Sequence, residues 1–146
     1  MSALNSLIDT ARRASRAGHP DEAARAWEKV RETAPDHPEA SAFFGHRALR
    51  QGDPRGAIEW LQRAARAAPR DALIPLGLAN AHRMLGDAAG ELAAFDAALK
   101  ADAYCYPALL GKGALLERLG QARQAARAFT DALKITPAEE RLSPDL

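Results

Sequence analysis

The 146-residue sequence lacks the features of membrane, secreted and disulfide-linked proteins. Its one cysteine, Cys105, excludes an internal disulfide, and we expect a packed, inert thiol. No apolar run approaches the roughly 18 residues that a membrane-spanning helix needs. The first residues, MSALNSLIDTARRASR, have no basic segment followed by an apolar core, so they do not predict a secretory signal. We therefore predict a cytoplasmic protein that does not bind a membrane.

The sequence also lacks a strong net charge and has few aromatic residues. The net charge is +1, which argues against nucleic acid as a partner because phosphate binding normally needs a concentrated basic surface. Sixteen of the 20 basic residues are arginine, and we interpret most of them as solvated helix faces with acidic neighbours. Aromatic residues make up 5% of the chain and β-branched residues are few, whereas alanine, the best helix former, is abundant. The composition predicts helices around a thin, closely packed core.

A fixed spacing of 34 residues organises the chain. Such a period is typical of stacked repeat proteins. It predicts one domain, 1–146, with repeats at about 4–37, 38–71, 72–105 and 106–139 and a tail or linker at 140–146. The spacing relates Gly18, Gly52, Gly86 and Gly120, and likewise Pro35, Pro69, Ala103 and Pro137.

Each repeat reads as two short helices. In the first repeat we predict helices over about 3–17 and 20–33, separated by Gly18 and closed by Pro35. Aspartates are expected to cap later helices, with Asp53 and Asp87 before the second helix of their repeats and Asp71 before the first helix of the third.

Small and large residues recur at fixed positions and resemble the tetratricopeptide repeat. The resemblance covers 136 of 146 residues and implies an all-α, right-handed superhelix of four helix–turn–helix repeats, about eight helices, without strands. Small residues would let paired helices approach, and a large residue at position 24 would fill the space between repeats. Glu91 departs from this pattern because other repeats have alanine there. Position 8 holds Ala11, Gly45, Ala79 and Gly113; position 20 holds Ala23, Ala57, Glu91 and Ala125; position 24 holds Trp27, Leu61, Phe95 and Phe129.

A weaker resemblance concerns the Ala/Arg-rich segment 75–137. It is similar to the helical-repeat region that precedes aspartyl/asparaginyl β-hydroxylase-type oxygenases in some bacteria. This resemblance implies a non-catalytic amino-terminal module that presents substrate or oligomerises. The Fe(II) and 2-oxoglutarate chemistry would lie downstream, since no two-His-one-carboxylate set is present.

The tetratricopeptide resemblance also implies a concave groove lined by the first helix of each repeat. Chaperone-binding members place lysines at position 5, but the residues here are apolar, so that carboxylate clamp is not assembled. Two interpretations stay open. The groove binds a peptide that has apolar anchors and an acidic group, or its apolar residues are partly covered by neighbouring helices and its arginines are solvated. The predicted groove residues are Ile8, Ala42, Leu76 and Leu110 in an apolar row, Arg12, His46 and Asn80 in a polar row, and Arg16, Arg50, Arg83 and Arg118 beside them.

No arrangement of catalytic or metal-binding residues is predicted. His19 and His37 fall in turns, His82 takes an inner position where a packed, hydrogen-bonded ring is expected, and only His46 faces the predicted groove. We therefore expect neither metal nor cofactor, and no enzyme activity from this segment.

Self-association is the third possibility. The last helix carries Phe129 and Leu133 on a face that a following repeat would normally cover. Ser143 and Pro144 interrupt any further helix, so we expect this end to contact a second copy or a downstream domain.

Overall fold

The computed structural model describes residues 2–135, which form eight α-helices and no strands. The chain divides into two compact halves, the amino-terminal half Met1–Pro69 and the carboxy-terminal half Arg70–Leu146. Predictions that concern Pro137, Ser143 and Pro144 lie outside the described residues. The helices are α1 Ala3–Arg16, α2 Pro20–Thr33, α3 Pro38–Arg50, α4 Pro54–Ala67, α5 Leu73–Met84, α6 Ala88–Ala101, α7 Tyr106–Arg118 and α8 Ala122–Ile135.

The helices pack in consecutive pairs, which confirms the predicted helix–turn–helix arrangement. In the amino-terminal half α1 packs on α2 and α3 on α4, and α2 also contacts α3. The carboxy-terminal half repeats this scheme with α5 on α6, α7 on α8, and α6 against α7. Within the described residues, no helix is both long enough and apolar enough to cross a membrane.

The periodic glycines stop the first helix of each repeat, as predicted. Gly18, Gly52, Gly86 and Gly120 have φ angles between 70° and 75°, a left-handed conformation that glycine adopts without strain. The next helix then begins within four residues of the glycine. The 34-residue period therefore reflects a repeated backbone requirement.

Aspartate caps begin two of the second helices. The Asp53 carboxylate accepts a hydrogen bond from the Gly56 N–H at 3.0 Å, and Asp87 accepts one from Gly90 at 2.9 Å. The expectation for Asp71 was wrong by one residue. The N-cap of α5 is Ala72, and the Asp71 carboxylate accepts from the Leu73 N–H at 3.0 Å, because it forms a local turn before the helix.

Large side chains fill the space between neighbouring repeats within each half. Trp27 is 3% exposed and stacks on Phe43 of α3, with ring centroids 6.3 Å apart. Phe95 of α6 packs against Gly111 of α7 so closely that a Cβ there would lie 2.4 Å from the ring. The expected role of position 24 is thus confirmed for these two residues.

Small residues allow the paired helices to approach. A Cβ added to Gly45 would lie 2.6 Å from Leu61, and one added to Gly113 would lie 2.6 Å from Phe129. Cys105 is 6% exposed within the core of the carboxy-terminal half, so the packed thiol is confirmed. The core is therefore thin and depends on alanine and glycine, as the composition predicted.

Candidate functional site

A cleft of about 440 Å³ in the amino-terminal half brings two predicted groove residues together. His46 and Arg50 both line it, and both come from α3. The complete lining is Ser15, Gly18, His19, Pro20, Ala23, Phe43, His46 and Arg50.

Local structure explains why these residues meet. Phe43, His46 and Arg50 stand at i, i+3 and i+7 on α3, so they share one helix face. The opposite wall is the last turn of α1 and the turn that Gly18 makes possible. A repeat-wide feature, the left-handed glycine, thus shapes this particular cleft.

The aromatic wall of the cleft is held in place. Phe43 is half-buried between Trp27 and Phe44, with centroid distances of 6.3 Å and 5.3 Å. Trp27 is fixed in turn, because its indole N–H donates to the Ser15 hydroxyl at 3.0 Å. The wall therefore offers an ordered apolar surface to a ligand.

The charge of the cleft is cationic. Its lining contains an arginine and two histidines but neither aspartate nor glutamate. Arg50 makes no salt bridge to any residue between 2 and 135. Part of the His46 side chain is accessible, yet crowding by its neighbours, followed by the charge of Arg50, lowers the pKa of His46. The lowered pKa favours the neutral form of His46, and Arg50 carries the fixed positive charge of the lining.

A second recess of about 230 Å³ adjoins the cleft and shares Pro20, Phe43 and Arg50 with it. It adds Asp21, Arg47 and Gln51 to the lining. The Arg50 guanidinium is thus available from two neighbouring depressions beside one aromatic ring.

Other predicted groove residues in this half are less available. Ile8 is 9% exposed and belongs to the core. Arg12 forms a two-bond ion pair with Glu39, with Nε donating to Oε2 at 2.9 Å, and this pairing lowers the pKa of Glu39. Ala42 is half-buried and Arg16 is exposed.

Among the described residues of the carboxy-terminal half, the predicted groove residues have different neighbours from those of the cleft. Asn80 accepts a hydrogen bond from Arg83 at 2.7 Å, so these two predicted groove residues contact each other. Leu76 is half-buried against the core and Leu110 is 37% exposed. His82 lies 3.1 Å from the Asp87 carboxylate, which confirms a packed, hydrogen-bonded histidine.

Arg118 is paired with a buried carboxylate that sequence reasoning did not connect to it. The Glu91 side chain is 4% exposed, and its Oε1 accepts from the Arg118 guanidinium at 3.0 Å. Glu91 stands at the repeat position where the other repeats have alanine. This exception was the only sign in the sequence that Glu91 has a special partner. The pair satisfies a charge that would otherwise be buried alone.

The two residues expected to mediate self-association differ in solvent exposure. Phe129 is half-buried over Gly113, whereas Leu133 on the same helix is 59% exposed.

Among residues 2–135, no group of three or more His, Cys, Asp or Glu side chains is arranged to hold a metal ion.

The sequence model of the tetratricopeptide repeat family matches residues 8–43 and 44–104, more than half of the chain. The chain belongs to the tetratricopeptide repeat family. The match ends before α7, but α7 and α8 continue the paired arrangement. Tetratricopeptide repeats generally serve as scaffolds for protein interactions.

Solved structures support the same fold. A crystal structure of MamA has a TM-score of 0.80 at 20% identity, covering 95% of this chain and 80% of that one. TTC0263, a thermophilic tetratricopeptide protein of Thermus thermophilus, has a TM-score of 0.71 at 20% identity, with coverage of 91% and 74%. An O-GlcNAc transferase mutant of Thermobaculum terrenum has a TM-score of 0.69 at 26% identity, with coverage of 77% and 22%. No curated protein matches the sequence.

Proposed function

We propose that this tetratricopeptide domain is a non-catalytic cytoplasmic scaffold that binds peptides carrying a large apolar side chain next to an acidic one. The observation that carries the proposal is the cleft of the amino-terminal half. Its ordered aromatic wall adjoins Arg50, which has no salt bridge among residues 2–135, and its lining includes no carboxylate.

The chemistry of Arg50 favours an acidic ligand. A guanidinium presents a planar set of N–H donors that matches a carboxylate, and charge-assisted hydrogen bonds of this kind are stronger than neutral ones. Phe43 beside it offers apolar surface for a neighbouring leucine or aromatic side chain. A peptide that satisfies both residues gains orientation as well as affinity.

Fewer of the predicted groove residues outside the cleft remain in the proposal, and each half is considered by itself. Arg12 and Arg118 already hold carboxylates of this chain, so they have less to offer an acidic ligand. Among the predicted residues of the amino-terminal half, we assign supporting contacts to those with accessible surface, Arg16 and Ala42. The predicted residues with accessible surface in the carboxy-terminal half are proposed as ligand contacts of that half by itself, namely Leu76, Asn80, Arg83 and Leu110.

The test uses an acetylated, amidated hexapeptide of alternating leucine and glutamate, titrated into the protein to millimolar concentrations by NMR. Backbone signals of α3 near Phe43 and His46 should shift, and Arg50→Gln should weaken binding about tenfold, in line with loss of a charge-assisted contact. Arg66→Gln, which removes an exposed arginine from α4, is the matched control and should bind like wild type. Equal binding by Arg50→Gln and wild type would contradict the proposal.

Homodimerisation is a second candidate function, favoured by the 59% exposure of Leu133 on α8. Sedimentation velocity of wild type and Leu133→Glu tests it, since a dimer through this face should dissociate in the variant. A wild type that stays monomeric at high concentration argues against it.

The resemblance to β-hydroxylase-type proteins suggests a further setting for either function. In that setting the domain would present substrate to, or oligomerise, an oxygenase encoded downstream. The reading frame beyond residue 146 tests this alternative directly.

A further inference from the structure

His46 occupies an unusual electrostatic position within the cleft. It lies one helical turn before Arg50, and both side chains line the same cavity. The lining holds no acidic side chain that would favour an imidazolium. A proton on His46 would therefore face a neighbouring guanidinium without compensation in the unliganded protein.

The other charged groups near the cleft do not change this balance. Glu22 is engaged by His19, whose Nδ1 lies 3.3 Å from its carboxylate, and Asp21 lines the adjoining recess, which does not include His46. The titratable and charged groups that line the cleft or the adjoining recess are His19 in the turn, Asp21 on α2, and His46, Arg47 and Arg50 on α3. Arg16 on α1 and Glu22 on α2 belong to the neighbouring segments but line neither cavity.

We propose that binding of an acidic peptide in this cleft is coupled to uptake of one proton by His46, so that the site holds its ligand more tightly as the pH falls. This inference rests on the proposed function, because it needs the ligand carboxylate to enter beside Arg50. That carboxylate supplies the negative charge that the cleft lacks, and it turns an unfavourable imidazolium into a favourable one.

Linkage fixes the direction and the pH range. The ligand raises the pKa of His46 from its lowered value in the free protein, so protons and peptide favour each other's binding. The gain in affinity is complete below the pKa of the free protein and disappears as the pH rises through the pKa of the complex. If the two values differ by about one unit, binding at the lower pKa is about fivefold tighter than at pH 8.

The first measurement is a pH series with the alternating leucine–glutamate hexapeptide. We expect its Kd to fall about fivefold between pH 8 and pH 5.5, where the peptide carboxylates remain ionised. A matched peptide with glutamine in place of glutamate should show no such trend. The His46 ring signal, followed by NMR with and without the acidic peptide, should titrate at a higher pH in the complex.

Two variants locate the proton. His46→Gln should bind the acidic peptide with an affinity independent of pH, whatever its strength at pH 8. His82→Gln, which removes a histidine outside the cleft, should keep the wild-type pH dependence. Circular dichroism of each variant at both pH values confirms that the helices persist.

The outcomes separate this inference from the function on which it rests. Binding through Arg50 without pH dependence, or pH dependence that survives His46→Gln, overturns the inference and leaves the proposed function intact. An unchanged His46 titration in the complex also overturns it. Absence of peptide binding at every pH overturns both.

Discussion

The two halves of the chain use the same repeat but treat equivalent arginines differently. Arg50 and Arg118 occupy the same position in first helices 68 residues apart. Arg50 lines an open cleft without a salt bridge among the described residues, whereas Arg118 is bound by the buried Glu91. A repeat position therefore specifies where a side chain stands, and its neighbours decide whether it is available to a ligand.

The surfaces of the two halves also differ in how many large apolar side chains they expose. The described large apolar side chains with the greatest exposure all belong to the carboxy-terminal half. The amino-terminal half instead buries Trp27 and Phe44, keeps Phe43 and Trp60 half-buried, and presents charge around its cleft. Recognition by the two halves is thus expected to differ in chemistry. The exposed residues are Leu73, Met84, Leu85, Tyr104, Tyr106, Leu110, Leu119 and Leu133.

Replacing a large core residue in either half should cause the largest loss of stability. Trp27→Ala and Phe95→Ala each empty a site between neighbouring repeats, and each should lower the free energy of unfolding by about 3–5 kcal/mol. Trp27 also loses its hydrogen bond to Ser15, so its variant should be the less stable of the two. Chemical denaturation followed by circular dichroism measures both, and a wild-type midpoint for either variant would contradict the assigned core.

The Glu91–Arg118 pair offers the sharpest contrast between the halves. Arg118→Met leaves Glu91 buried without its partner and should cost about 2–3 kcal/mol, less than a fully buried pair because the guanidinium is half exposed. Glu91→Ala restores the residue found in the other repeats and should stay within about 1 kcal/mol of wild type. The double variant should recover most of the loss. Equal stability of Arg118→Met and wild type would show that water alone satisfies Glu91.

Sequence reasoning predicted the features that depend on local geometry. The periodic glycines, the Asp53 cap and the small residues at helix contacts follow from backbone or packing requirements that each repeat must meet. The pairing of Glu91 with Arg118 joins residues 27 apart in different repeats, so no local rule connects them. The same separation joins Arg12 to Glu39, and this pairing removed a predicted groove residue from the candidate site.

Two glycines at equivalent positions test how far each half can adjust. A Cβ at Gly45 or Gly113 would come within 2.6 Å of a large side chain. Leu61, which faces Gly45, is fully buried, whereas Phe129, which faces Gly113, is half-buried. Gly45→Ala should therefore cost about 1–2 kcal/mol, and Gly113→Ala should cost less because the half-buried ring can be displaced with a smaller loss of packing. Denaturation midpoints in the reverse order would show that the carboxy-terminal half is the more rigid.

The aspartate caps should give small effects on stability and a difference between them that depends on pH. Asp53→Ala should cost about 1 kcal/mol, as is typical for loss of an N-cap. Asp87→Ala should cost more, because Asp87 also contacts His82. The Gly90 N–H, together with His82, lowers the pKa of Asp87, so its stabilisation is present above the unfolded pKa and is lost as the pH falls through the folded one. Melting temperatures between pH 7 and pH 2 should therefore show the Asp87→Ala deficit shrinking in acid. A deficit that is constant across this range would mean that the cap acts through packing, independently of the carboxylate charge.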